Sequence, residues 1–205
     1  MPKDTFYNLD DEKRSRVLDA ALEEFGSRSF HQATVGRIVE KADIPKGSFY
    51  QYFESKKDLY RYLIKMSQEK KIVFMKGVLK EMEDEDVFYR LRVLYRAGFR
   101  FAEKNPRLLA IGQNMMKEDE ELRRELLDHS VSSGEDFIEG MLEEGVEDGE
   151  IDPEANLSVA ASMIAQYNLS LADSFLRTPI EEGADEFLNK IDDMIQLLKE
   201  GMARD

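Results

Sequence analysis

Apolar residues along the chain recur with the 3.6-residue period of a helix, and no stretch makes a convincing strand. Asp10 or Asp11 opens a first helix on which Val17, Leu18, Ala21, Leu22 and Phe25 share one face. Gly26 is placed to stop it, as a left-handed C-terminal glycine does. Thr34 is suited to cap a second helix, with Val35, Ile38, Val39 and Ala42 turned inward. Asp43-Ile44 makes a short turn, and Pro45 fits the first position of a third, very short helix ending near Tyr52-Phe53. Ser55-x-x-Asp58 is a near capping box at the head of a long fourth helix running to about Lys80.

Helices continue to the end of the chain. Val87, Phe88, Leu91, Leu94, Tyr95, Phe99 and Phe101 ride on one that stops before Pro106, because the residue before a proline resists helical geometry. Another runs through Met115-Met116, and the next from about Glu120 to Val146, where Gly149 breaks the pattern. Pro153 starts a helix reaching Leu176; Pro179 and Gly183 separate it from the last, whose stripe is Phe187, Leu188, Ile191, Met194, Ile195, Leu198 and Met202. There is no sequence repeat, low-complexity tract or flexible linker, so the reading is all-α with directly packed parts.

Charge changes this picture because it is uneven. Residues 1–76 hold 15 basic and 12 acidic side chains, a net +3, whereas the remainder holds 14 and 31, a net −17. A basic first third on an acidic remainder points to anion binding by the first part, although acidic surface also simply confers solubility. The 205 residues contain no cysteine, which excludes disulfides, thiolate metal sites and a cysteine nucleophile and fits a reducing, cytoplasmic setting. Met1-Pro2-Lys3-Asp4 leads into polar sequence without the apolar core of a signal peptide. The uncharged run Leu157 to Ala172 is too short and too polar to span a bilayer, so no membrane association is expected.

Residues 34–53 read as helix, tight turn, short helix, the plan in which the second helix enters a major groove of DNA. That second helix offers Lys46 for phosphate, Gly47 for close backbone approach, Ser48, the hydroxyls of Tyr50 and Tyr52, and Gln51 to read adenine or bridge through water. Arg37 projects opposite the inward Ile38, and Lys56 lies in the first turn of the fourth helix, where the helix dipole adds positive potential. On composition alone the same short helix is equally a solvated face.

The ordered run Thr34-x3-Ile38, Ala42, Ile44, then Lys46-Gly47-Ser48-Phe49-Tyr50-Gln51-Tyr52-Phe53-Glu54-Ser55-Lys56-Lys57-Asp58-Leu59 resembles the DNA-binding signature of the tetracycline-repressor (TetR-type) family. Ala20-Ala21-Leu22-Glu23-Glu24-Phe25-Gly26 resembles that family's first helix, and the likeness covers about residues 11–65. It implies a three-helix DNA-binding head, residues 1–55, on a larger helical body, residues 56–205, with about nine helices and a homodimeric assembly. Thr34 and Arg37 would then flank the groove, Lys46, Gly47, Ser48, Tyr50, Gln51 and Tyr52 would form the recognition surface, and Lys56 would hold phosphate. Ile38, Phe49, Phe53 and Leu59 would be core. Two positions depart from the family pattern: Asp43 stands where glycine is usual in the turn, and Pro45 where Ser or Thr opens the recognition helix.

The resemblance further implies a body that binds a small effector and repositions the heads through the fourth helix, releasing a repressor from a pseudo-palindromic operator. Tyr95, Phe99, Met116, Phe137, Met141, Tyr167 and Phe175, with Phe88, Phe101 and Met115, can line an apolar cavity, and Gln113, Asn114 or Asn168 can fix a polar group. A hydrophobic effector such as an acyl chain or apolar drug is expected, a cationic one being the competing reading of the acidic body. The small residues Ser158, Ala160, Ala161, Ser162 and Ala165, with the stripe from Phe187 to Met202, suit an intersubunit four-helix bundle, or the same packing within one chain.

Enzyme readings find little. His31 and His129 are distant in sequence, neither belongs to a Glu-x-x-His pair, and the segment Glu144–Ala155 has Val146 and Ala155 at positions where a calcium loop needs ligands. The run Glu118-Asp119-Glu120-Glu121 suits a helix N-terminus, and no phosphate-binding glycine loop occurs. No cofactor or metal is called for. The remaining alternative is an acidic helical protein-interaction module without specific DNA binding, which leaves the basic groups around the helix-turn-helix unexplained.

Overall fold

The computed structural model describes residues 1–82, 84–177 and 180–202; side chains are described outside 127–133 and 168–185. Among the described residues there are ten helices and no strand: α1 (Asp4–Tyr7), α2 (Asp11–Ser27), α3 (Val35–Lys41), α4 (Lys46–Tyr52), α5 (Lys56–Lys80), α6 (Val87–Lys104), α7 (Pro106–Met116), α8 (Glu120–Glu147), α9 (Leu157–Arg177) and α10 (Ile180–Met202). The count is one above the nine expected, because the four-residue α1 is too short for periodicity to reveal.

The chain forms two units, one comprising Met1–Lys70 and Asn105–Leu126, the other Lys71–Lys104 and Leu127–Asp205. In the first, the predicted caps are present. Asp10 accepts from the Lys13 amide at 2.8 Å, Thr34 from the Arg37 amide at 3.3 Å, and Ser55 from the Asp58 amide at 3.1 Å. Val17, Ala21, Phe25, Ile38, Phe49, Phe53, Leu59 and Leu63 are fully enclosed.

Gly26 does not stop α2 in the expected way. The helix runs on through Ser27, and among the described residues Gly149, at φ +77°, is the glycine in the left-handed region. Gly26 instead lets α7 approach: a Cβ there would stand 3.3 Å from the Ala110 Cβ. Asn114 on α7 closes the end of α2, its amide donating to the carbonyls of Phe25 and Gly26, both at 2.8 Å. Helix packing and a distant side chain thus do what a local glycine was expected to do.

The second unit has its own core, in which Leu91, Leu94, Ile138, Met141, Leu142, Ile164, Ile191 and Ile195 interlock. Gly145 sits in close packing, since a Cβ would lie 3.0 Å from Val87 Cγ1 and 3.1 Å from Ile151 Cδ1. Arg92 and Arg96 on α6 both pair with Asp192 on α10, at 2.9 and 3.2 Å. Pro153 lies ahead of α9 rather than at its first position. Asn156 is the cap, accepting from the Val159 amide at 3.1 Å. Gly183 falls inside α10, and Pro179 lies outside the described residues. No described helix is long and apolar enough to cross a membrane.

Candidate nucleic-acid interface

The turn joining α3 to α4 is built from backbone bonds. The Asp43 amide donates to the Glu40 carbonyl at 3.2 Å and the Ile44 amide to the Val39 carbonyl at 3.0 Å. Together they form a Schellman motif, which requires a left-handed residue between helix and exit. Asp43 takes that conformation at φ +52°. The position usual for glycine is therefore filled by a residue whose short polar side chain tolerates the same geometry. Ile44, buried just after it, supplies the apolar contact such a turn carries.

Pro45 caps α4 through its backbone, at φ −61° and ψ 142°, with no side-chain hydrogen bond. This differs by one residue from the first helical position expected of it. The helix then divides cleanly. Phe49 and Phe53 are enclosed and Tyr52 is 5% exposed, while Lys46, Gly47, Tyr50 and Gln51 lie on the open face, with Ser48 half-buried at its edge. Tyr50 is 48% exposed. Tyr52, expected on the recognition surface, packs instead beside Phe6. A Cβ at Gly47 would meet nothing within 4 Å, so no packing within the chain requires glycine there. Glycine inside a helix costs about 0.5–1 kcal/mol relative to alanine. At Gly47 nothing in the fold offsets that cost, which suits a surface reserved for close approach from outside.

The predicted basic residues fare unequally. Arg37 is exposed but tethered, its Nε donating to Glu24 at 2.7 Å and its Nη2 to the Gln32 carbonyl. Lys56 is half-buried; its ammonium donates to the carbonyls of Phe30 and Ala33 and stands 4.3 Å from the centre of the Phe30 ring. Burial pushes that ammonium down from the ordinary lysine value, partly offset by Glu118 and Glu24. Both residues therefore staple the loop ahead of α3. Lys46 is the exposed cation on α4 itself.

Glu24 is the central group that sequence reasoning missed. It is 6% exposed, accepts from the Thr34 amide at 2.9 Å and from Arg37, and pairs with Arg28 at 3.3 Å. A buried carboxylate satisfied by several donors orients them as a set. Within the same unit, Glu118 accepts from the Phe30 amide and Asp119 lies 3.2 Å from His31. The corner between α7 and α8 is thus fastened to the loop that Lys56 staples.

The expected effector residues are divided between the two units. Tyr95, Phe99, Phe137 and Met141 belong to the second unit, Met141 buried in its core and the others half-buried. Tyr95 approaches Met194 Sδ at 4.0 Å. Tyr167 is 36% exposed on α9, Gln113 and Met116 belong to the first unit, and Asn114 is occupied in capping α2. Phe175 and Asn168 lie outside the described side chains. Among the described residues, no group of acidic or histidine side chains is arranged to hold a metal.

The family described as "Bacterial regulatory proteins, tetR family" matches residues 17–63, which run from α2 across the helix-turn-helix into α5. The HTH-type transcriptional regulator YdgC of Bacillus subtilis is 30% identical over 175 residues, spanning 84% of this chain and 86% of its own. The chain belongs to the TetR family. It is a DNA-binding transcriptional regulator, as the helix-turn-helix head predicts. A TetR family regulator from Chloroflexus aurantiacus is similar over 100% of both chains, at 30% identity and a TM-score of 0.63. The regulator FadR from Bacillus subtilis, in complex with stearoyl-CoA, shares the fold at 22% identity and a TM-score of 0.68, over 91% of this chain and 98% of its own.

Proposed function

We propose that this TetR-family regulator is a homodimeric repressor that reads a pseudo-palindromic operator with Lys46, Gly47, Ser48, Tyr50 and Gln51 and leaves it on binding a hydrophobic effector. The observation that carries the operator reading is the open face of α4, where every exposed residue is small or polar and one glycine has no internal use. Thr34 and Arg37 flank this face; Arg37, Tyr52 and Lys56 act chiefly by holding its supports.

The dimer rests on an apolar surface that the folded chain leaves open. Val159 and Met163, one turn apart on α9, are 52% and 64% exposed, and Leu197 on α10 is 70% exposed. Ala160, Ala161, Ala165, Ile191 and Ile195 sit in the core of their own unit. The mating surface is therefore the opposite side of the same two helices. Two copies of the head would double the DNA contacted, as tight specific binding requires.

For the effector, the stearoyl-CoA complex of FadR supports a long acyl chain. Lys71 supports an acidic rather than a cationic ligand. Its side chain lies against α6, where a Cβ on Gly98 would meet its Cε at 3.9 Å, and burial lowers its ammonium although it stays accessible. Among the described residues it has no hydrogen bond or ion pair, so an anionic group is its natural partner.

Purified protein mixed with sheared DNA from its source at near-physiological salt should retain fragments sharing an inverted repeat, and long-chain acyl-CoA should release them where an uncharged alkyl analogue does not. Retention of no common sequence by a ligand-free dimer contradicts the operator reading. Release by an organic cation instead contradicts the effector assignment. Coupling is reciprocal, so operator must weaken effector binding by the same factor.

A further inference from the structure

The short helix that reads DNA has an unusual dependence on residues far from it in sequence. With seven residues and no side-chain N-cap, α4 is too short to persist by its own hydrogen bonds. Its last carbonyls have no partners inside the helix. Three consecutive ones are satisfied from the N-terminal segment. The Lys3 ammonium donates to the Tyr50 carbonyl at 3.1 Å, the Thr5 hydroxyl to the Gln51 carbonyl, and the Lys3 amide to the Tyr52 carbonyl at 2.8 Å. Phe6 fixes this segment in place. It is wholly enclosed, with ring centroids 4.8 Å from Phe53, 5.7 Å from Tyr62 and 6.2 Å from Tyr52.

Two of the three clamped peptide groups belong to Tyr50 and Gln51, whose side chains form the open face of α4. The bonds run to the backbone, so they leave those side chains free while restricting where they point. We propose that Lys3, Thr5 and Phe6 form a positioning brace that sets the DNA-reading face of α4, making operator affinity depend on residues that do not themselves touch DNA. This rests on the operator reading above.

Thr5 is the discriminating position, because Thr5→Val removes the donor while keeping the side chain's shape and charge. Operator affinity should fall about five-fold, the factor carried by one net hydrogen bond. The slope of affinity against salt should not change, since no phosphate contact is lost. Amide exchange over residues 49–53 should accelerate while that of α2 stays as in the wild type, and Thr5→Ser should restore both readouts. Unchanged exchange in α4, or faster exchange with unchanged operator affinity, overturns the proposal. A changed salt slope also overturns it, by making the segment a DNA contact. Failure of the operator reading is a separate result, a wild-type protein that enriches no DNA sequence; the brace then stands or falls on exchange in α4 alone.

Discussion

The two units solve different problems with the same element. The second is an apolar assembly of long helices in which Leu91, Met141, Ile164 and Ile191 interlock, and many hydrophobic residues could replace one another there. The first spends its polar groups on geometry. Glu24 gathers Thr34, Arg37 and Arg28, Lys56 holds two loop carbonyls, Asn114 ends α2, and a Schellman turn aims α4. The contrast teaches where single substitutions act: those in either apolar core act on stability, while those at the polar groups of the first unit act also on the direction in which a few exposed side chains point.

The largest effect expected is on the core of the first unit. Phe53→Ala deletes a fully enclosed ring and should lower stability by about 3–5 kcal/mol, measured by denaturant unfolding. DNA binding would be lost along with folded protein. Leu91→Ala in the second unit should lower stability by about 2–5 kcal/mol. Operator affinity of the protein that stays folded would survive. Equal loss of intrinsic affinity in both variants would erase the distinction between the units.

Glu24→Gln should come next. The amide retains the shape but supports fewer of the donors around it, with an expected loss of about 1–3 kcal/mol in unfolding free energy. Operator affinity should fall at temperatures where the protein is fully folded. Unchanged affinity would show that the polar network serves stability alone.

Gly47→Ala sharpens the comparison because its two effects have opposite signs. The fold should gain about 0.5–1 kcal/mol, since the new methyl group meets nothing and the helix improves. Operator binding should weaken as the methyl group intrudes on close approach. A variant that is more stable and binds equally well would remove Gly47 from the interface.

The smallest effect concerns acid. The Leu122 amide, and then His31, hold the Asp119 carboxyl below its ordinary value. A carboxyl depressed in the folded state stabilises above its unfolded pKa, and the contribution fades as pH falls through the folded value. Asp119→Asn should therefore lower the melting temperature slightly at neutral pH and make no difference in acid. An equal deficit at both pH values would make the role purely steric.

Much of this was legible in the sequence, for reasons that also mark where legibility ended. Caps and faces are local, so Thr34, Asp10 and the buried set Ile38, Phe49, Phe53 and Leu59 stand where period and spacing put them. The open residues Lys46, Gly47, Tyr50 and Gln51 follow from the same division of α4. Arg37 and Lys56 read as free cations because their acceptors, the carbonyls of Gln32, Phe30 and Ala33, lie in a loop whose path no periodicity reveals. Gly26 looked like a helix stop, whereas its real partner, Ala110, is more than eighty residues away. The effector residues were the least legible, since an aromatic at helical spacing serves a core and a cavity equally well.

The central claim is that the open face of α4, presented twice by a dimer, reads base sequence. Its most direct test is selection from a randomised duplex library at near-physiological salt, by wild type and by Gln51→Ala. Wild type should select an inverted repeat, and the variant the same half-site spacing with relaxed preference at one position in each half. Identical preferences for the two proteins, or no repeat with wild type, would contradict it.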